Sequence, residues 1–354
     1  MRPMFNRSGR AGNYAYTVSR VKAKKALLLK DEDYNKMLQM SIPEISRYIS
    51  ESGYQKEMAD LAGRIEGIDL VEHATYVNMA KVFSSILKAS QGELNTMVAA
   101  YLEKWDIWNL KVILRGKSYG LGAEEIREDL VPAGSLDAES LEKLIALDNA
   151  DDIIANYCKM EHVTIPQDVL SAYKASGNLG EIEDYLDKFH YVRLLKSIDP
   201  SSRPTRMFQD YVRTEIDVRN LETILKLKAE GIYGEAVMKY VIPGGRQIDH
   251  RYATQLANAE TIAAAASDLS QLDFYDIIKE LVEAEKVSIR DVVTEMKKYE
   301  IAEAKKFSHM YPLSVVPILD YMIHKEIEVG NIRTISRGIE SGLDTETIKG
   351  LLVI

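Results

Sequence analysis

The side chains with obvious chemistry are few and far apart. Asp148-Asn149-Ala150-Asp151-Asp152 is an acidic cluster of the kind that could hold Mg²⁺ through paired carboxylates. Such a site needs two adjacent aspartates, another three residues on, and a second acidic motif on a facing helix. Here the order is wrong and no second motif follows, so the cluster reads as a helix N-terminus, where carboxylates favour the macrodipole. Cys158 and His162 stand four apart and could share a helix face, but two ligands do not make a metal centre. His73, His190, His250, His309 and His324 complete the histidines; none falls in a His-Glu-x-x-His or Glu-x-x-His spacing, which leaves zinc-protease and di-iron chemistry without support. A Gly-x-x-x-x-Gly-Lys-Ser/Thr phosphate loop is absent. Gly120-Leu121-Gly122 and Gly244-Gly245 follow helical patterns and read as helix stops. The expectation is no catalytic residue, no cofactor and no metal.

What does recur is a packing unit. Asp106-Ile107-Trp108-Asn109-Leu110-Lys111-Val112-Ile113-Leu114-Arg115 is followed 111 residues later by Asp217-Val218-Arg219-Asn220-Leu221-Glu222-Thr223-Ile224-Leu225-Lys226. After the same interval comes Glu328-Val329-Gly330-Asn331-Ile332-Arg333-Thr334-Ile335-Ser336-Arg337. The shared pattern is acid, Ile/Val, any, Asn, Leu/Ile, charged, any, Ile, any, basic. Gly120, Gly231 and Gly342 keep the register, as do Glu124, Glu235 and Glu346, and Ile126, Val237 and Ile348. The first two copies run on together to Pro132-Ala133-Gly134 and Pro243-Gly244-Gly245. Repeats of this length call for repeated structural units, here 1–134, 135–245 and 246–354.

The elements that position these residues are helices. Ile107, Leu110, Ile113 and Leu114 recur at three- and four-residue steps and line one helix face. Gly120 lies where a left-handed C-terminal residue would end that helix, and a short second helix with Glu124 and Ile126 makes the unit a helical hairpin. Asn109, Asn220 and Asn331 sit mid-helix, where Asn is a weak helix former, and are expected to make a buried cross-helix hydrogen bond. Ser41-Ile42-Pro43-Glu44 reads as a capping box opening a helix that carries Ile45 and Ile49. From Gln55 to Lys117 no proline occurs, which predicts long, nearly continuous helices; 168–208 and 272–309 hold the same place before the later blocks. Sustained alternation is lacking, so the fold is expected to be all-α.

Composition agrees. The chain has 354 residues, ordinary apolar content for a folded protein, and 9 prolines. A lone cysteine excludes an internal disulfide framework and fits a reducing cytoplasm. No apolar run approaches the ~20 residues of a membrane-spanning helix. Net charge is −9, but residues 1–30 hold Arg2, Arg7, Arg10, Arg20, Lys22, Lys24, Lys25 and Lys30 and no acid, so the other 324 residues carry −17. An acidic chain is poorly suited to wrapping nucleic acid. Its basic start fits an anionic lipid surface or an acidic partner.

With the repeat and the N-terminus together, the chain resembles the C subunits of archaeal A-type (V-type) ATP synthases, the counterparts of the d subunits in vacuolar-type ATPases. Asn13-Tyr14-Ala15-Tyr16-Thr17-Val18-Ser19-Arg20-Val21-Lys22-Ala23 is similar to that family's start, and Trp108–Arg115 to its first-copy signature. The resemblance implies three similar helical domains in a funnel around a pseudo-threefold axis. It also implies a non-catalytic central-stalk rotor part between the membrane proteolipid ring and the D–F shaft, peripheral at the cytoplasmic face of the cell membrane. That part would touch the membrane only through the complex and transmit torque between ion translocation and ATP synthesis or hydrolysis. No family motif marks the contact residues; charge alone points to Arg20, Lys22, Lys24 and Lys25. An open helical scaffold for another soluble partner, or an all-α enzyme, are the alternative readings.

Overall fold

The computed structural model describes residues 12–284 and 287–354. Among them the regular elements are nineteen α-helices and one 3₁₀ turn, with no strand, which is the all-α class expected. Sequence signals act locally as read. Helix Ile42–Ser50 starts at Ser41, whose backbone N–H donates to the Glu44 carboxylate at 2.8 Å. The proline-free stretch forms Gln55–Leu61, then the long helices Gly67–Ala89 and Gly92–Ser118.

Two compact units divide the chain. One takes the described residues up to His190 together with Lys325–Gly350; the other takes Tyr191–His324 and Leu351–Ile354. In the first, one core gathers Ile107, Leu110, Ile113 and Leu114 with Ile126, Leu144, Ile153, Tyr157, Ile182 and Leu186. In the second, helix Arg203–Ala229 packs on Ile289–Met310, and Leu221, Ile224 and Leu225 join Val237, Leu256, Phe274, Ile278 and Met296. Burying a side chain of this kind stabilises by roughly 1.5–3 kcal/mol. Each core binds a hairpin to the helices that follow it in sequence. The cores therefore run across residues 134 and 245, where the sequence repeats were divided.

All three hairpins turn on the same device. Gly120, Gly231 and Gly342 have φ of +74°, +79° and +69°. The next residue then donates back to the long helix: Leu121 N to Gly116 O, Ile232 N to Leu227 O and Leu343 N to Gly338 O, each at 2.9 Å. This is the six-to-one bond of a Schellman stop, and a side chain there would be strained. Beyond it lie the short helices Ala123–Glu128, Glu235–Met238 and Thr345–Lys349. In two copies the hairpin helices touch through a glycine. A Cβ on Gly116 would stand 2.5 Å from Ile126 Cγ1, and one on Gly338 2.6 Å from Ile348 Cγ1. The second copy has Leu227 and the smaller Val237 at these places.

Candidate functional site

Helix Tyr14–Lys25 carries the basic residues singled out above. Its inner face, Thr17, Val18 and Val21, is buried. Asn13 clamps the break between the two long helices: its Nδ2 donates to Ala89 O at 2.8 Å, and its Oδ1 accepts from Gln91 N at 2.9 Å. The Tyr14 hydroxyl donates to Glu93 at 2.6 Å. Two residues of the N-terminal motif therefore dock the helix. Arg20 and Lys22 are exposed, with Arg20 donating to the Tyr16 hydroxyl at 2.9 Å, while Lys24 and Lys25 are half-buried. The four share one helix, and Lys22, Lys24 and Lys25 fill its last turn, where cations suit the negative end of the macrodipole. Arg2, Arg7 and Arg10 lie outside the described residues.

The acid that opens each block is a buried backbone holder. Asp106 accepts from Ser135 N at 2.7 Å and Leu136 N at 3.0 Å. Asp217 accepts from Arg246 N, Gln247 N and Ile248 N at 3.1, 2.8 and 2.9 Å. Both are fully buried. A Cβ on Gly134 or Gly245 would collide with these carboxylates, so the glycines admit the acid to the loop. Burial pushes Asp106 up to about 7, helped by the Glu161 carboxylate, which Ser135 Oγ holds at 2.8 Å. Burial likewise pushes Asp217 to about 6 against the pull of its three amides.

Glu328 holds the same place in the third block but uses other partners. Leu29 N donates to it at 2.6 Å, the Tyr54 hydroxyl at 2.5 Å, and Lys325 Nζ at 2.8 Å. Lys325 also donates to the Tyr54 hydroxyl at 2.9 Å, and burial lowers its pKa against the opposing effect of Glu328. Further along the same helix, Arg333 and Arg337 both reach Glu72, and Arg333 donates to the Tyr76 hydroxyl. Burial alone would raise the Glu72 carboxyl, but the two guanidiniums hold it low. The last block is thus fastened, inside the first unit, to helices from the beginning of the chain. Periodicity flagged the acid but assigned the polar role to asparagine alone, and nothing local marked Tyr54 or Glu72 as partners.

The asparagines behave nearly as expected. Asn109 Nδ2 donates to Val131 O at 2.8 Å and its Oδ1 accepts from Val131 N at 2.7 Å. Asn220 makes the same pair with Ile242, both at 2.8 Å. The partner is backbone just past the short helix, so the side chain imitates a strand neighbour for a segment without one. Asn331 is buried, and the Tyr34 phenol is hydrogen-bonded to it.

The other chemical candidates have structural roles. Asn149 caps helix Ala150–Glu161 by accepting from Asp152 N at 2.8 Å, with Asp151 and Asp152 in the first turn. His162 ends that helix at φ +55°, and Val163 N donates to Cys158 O at 3.0 Å. Burial raises the Cys158 thiol, which keeps it protonated and unreactive. Among the described residues no group of three His, Cys, Asp or Glu side chains is placed to hold a metal ion, and no helix is long and apolar enough to cross a membrane.

Comparison with known proteins agrees over almost the whole length. Residues 17–351 match the family described as ATP synthase (C/AC39) subunit. The C subunit of the A-type ATP synthase of Methanococcoides burtonii is 36% identical over 98% of this chain and 96% of its own. The proteins of that name from Archaeoglobus fulgidus and Haloferax volcanii are 35% and 32% identical, over 98% and 97% of this chain and 98% of their own lengths.

Proposed function

The chain belongs to the ATP synthase (C/AC39) subunit family, and from that premise we propose that it is a non-catalytic central-stalk part of an A-type ATP synthase rotor. It seats the D–F shaft on the membrane proteolipid ring and carries torque between ion translocation and ATP synthesis or hydrolysis. The observation that carries this reading is the kinship over residues 17–351, nearly the whole chain. The use made of the repeated polar residues supports it too. Asp106, Asp217, Glu328, Asn109 and Asn220 hold backbone and neighbouring side chains, as a stiff coupler needs.

In this reading the repeats 1–134, 135–245 and 246–354 form three similar domains in a funnel around a pseudo-threefold axis. The part sits peripherally at the cytoplasmic face of the cell membrane, reaching the membrane only through the complex. Arg20, Lys22, Lys24 and Lys25 supply charged contacts that steer association with the ring more than they fix its strength. The test is co-purification of the full chain with the purified ring and with the D–F shaft. Binding to both is expected, and failure with either sinks the coupler. Replacing the four basic residues by Glu should weaken ring binding at low salt; unchanged binding would remove them from the interface.

A further inference from the structure

In the second unit, the early turns of helix Arg203–Ala229 carry Arg206, Gln209, Asp210 and Arg213 toward a common cleft. With Pro200 and Arg246 they line a space of about 400 Å³. Three guanidiniums against the single carboxylate of Asp210 leave the cleft net positive, although the chain beyond residue 30 is strongly acidic. Among the described residues, none of the three arginines has a carboxylate oxygen within 4.0 Å. The influence of Arg246 on Asp217 is longer-ranged, and the Asp217 carboxylate is already occupied by backbone amides.

Arg206 is tied by two carbonyls, and Arg213 more loosely by one. Arg206 Nη1 donates to Pro200 O at 3.2 Å and Ser201 O at 3.1 Å, and Arg213 Nη1 donates to Gly244 O at 3.5 Å. A guanidinium offers five N–H donors, so these ties leave most of them free of protein acceptors. Fixed guanidiniums without a carboxylate partner match the forked geometry of an oxyanion and lose little entropy in binding one. A lysine-rich surface would attract anions diffusely; here Arg206 and Arg213, steadied by carbonyls, share one cleft with Arg246 and together define a site.

We propose that this cleft binds a phosphate-type oxyanion carrying two or more negative charges, supplied either as free phosphate or pyrophosphate or as the phosphomonoester headgroup of an anionic lipid. The proposal is independent of the coupler reading, since it needs neither ring nor shaft. Isothermal titration of the full chain with pyrophosphate and with inorganic phosphate at low salt should show saturable one-site binding, tighter for pyrophosphate. The double variant Arg213→Gln with Arg246→Gln should weaken it by about tenfold or more, with helix content and unfolding midpoint unchanged. Arg20→Gln with Lys22→Gln, on the basic N-terminal helix, should leave it as it was. Sedimentation with phosphatidic acid vesicles, against phosphatidylcholine alone, separates the sources. Arg213- and Arg246-dependent pelleting without pyrophosphate binding assigns the lipid headgroup. If neither probe binds saturably, or if binding survives the double variant, the site does not exist. Selective capture of an acidic peptide with no binding of either phosphate probe would also overturn it.

Discussion

Asp106 and Glu328 stand at the same place in the repeat, two repeat lengths apart, and their buried carboxylates are held in different ways. Around Asp106 are the amides of Ser135 and Leu136 and a second acid, Glu161. Around Glu328 are an amide, a tyrosine hydroxyl and the ammonium of Lys325, itself only 4% exposed. The first carboxyl lowers the cost of burial by moving toward its neutral form, whereas the second is matched by a cation. The two solutions serve different connections. Asp106 holds a loop about thirty residues downstream, while Glu328 holds the beginning of the chain. A fold can repeat a backbone with high fidelity while each copy adjusts its electrostatics to what it must fasten.

Neutral isosteres should separate the two most sharply. Glu328→Gln leaves a buried lysine without its counter-charge and should cost about 3–5 kcal/mol, read from urea unfolding. Asp106→Asn near pH 6 should cost much less, because the wild-type group is then largely protonated. Equal losses would break the comparison.

The pH dependence is the next largest effect. Asp106 titrates at about 7 in the folded chain, against an ordinary carboxylate value of 3.8. The folded state thus holds its proton more firmly than the unfolded state, so its contribution is most favourable below about pH 4 and declines as pH rises toward 7. The span is up to ~4 kcal/mol. Asp217, at about 6, acts in the same direction over a narrower window. The stability difference between wild type and Asp106→Asn, measured from pH 4 to 8, should shift in the variant's favour as pH rises. A constant difference would remove the titrating group from the account.

Much of this was legible in the sequence because the information is local. The 111-residue register, the stops at Gly120, Gly231 and Gly342, the Ser41 capping box and the acidic first turn at Asp151 each depend on residues whose spacing can be read directly, and each forms as read. Gly122 and Gly244-Gly245 also read as stops, but Gly122 instead opens helix Ala123–Glu128, and Gly244-Gly245 lie in the loop beyond Glu235–Met238. The asparagines were legible in kind, though their partners proved to be backbone at Val131 and Ile242. The network of Tyr54, Lys325 and Glu328, and that of Glu72 with Arg333 and Arg337, were not legible. Tyr54 and Glu72 lie more than 250 residues from the partners they meet, and no periodicity relates them. The arginine cleft was hidden likewise, because Arg246 enters it from a loop outside the helix.

The asparagine pairs test how far the copies are equivalent. Asn220→Ala strands the buried amide and carbonyl of Ile242 and should cost about 2 kcal/mol. Asn109→Ala strands the Val131 amide alone, since Ala133 N still donates to the Val131 carbonyl at 2.7 Å. The asparagine bonds agree within about 0.1 Å, so the two losses should differ only by that one carbonyl, about 1 kcal/mol, with Asn220→Ala the larger. A larger gap would show that the blocks differ energetically where they look alike.

The smallest effect concerns the glycine that lets two hairpin helices touch. Alanine at Gly116 improves helix propensity by up to ~1 kcal/mol, chiefly because it restricts the unfolded chain. Against this, its Cβ would lie 2.5 Å from Ile126 Cγ1, and overpacking costs about 1–3 kcal/mol. Gly116→Ala should therefore destabilise by roughly 1 kcal/mol, and Gly338→Ala should do the same against Ile348. The second copy suggests the compensation, since it pairs Leu227 with Val237. Adding Ile126→Val to Gly116→Ala should recover most of the loss, as the branch that meets the new methyl is shortened. If Gly116→Ala alone raises the unfolding midpoint, the contact is slack, and the glycine there has another cause than the neighbouring helix.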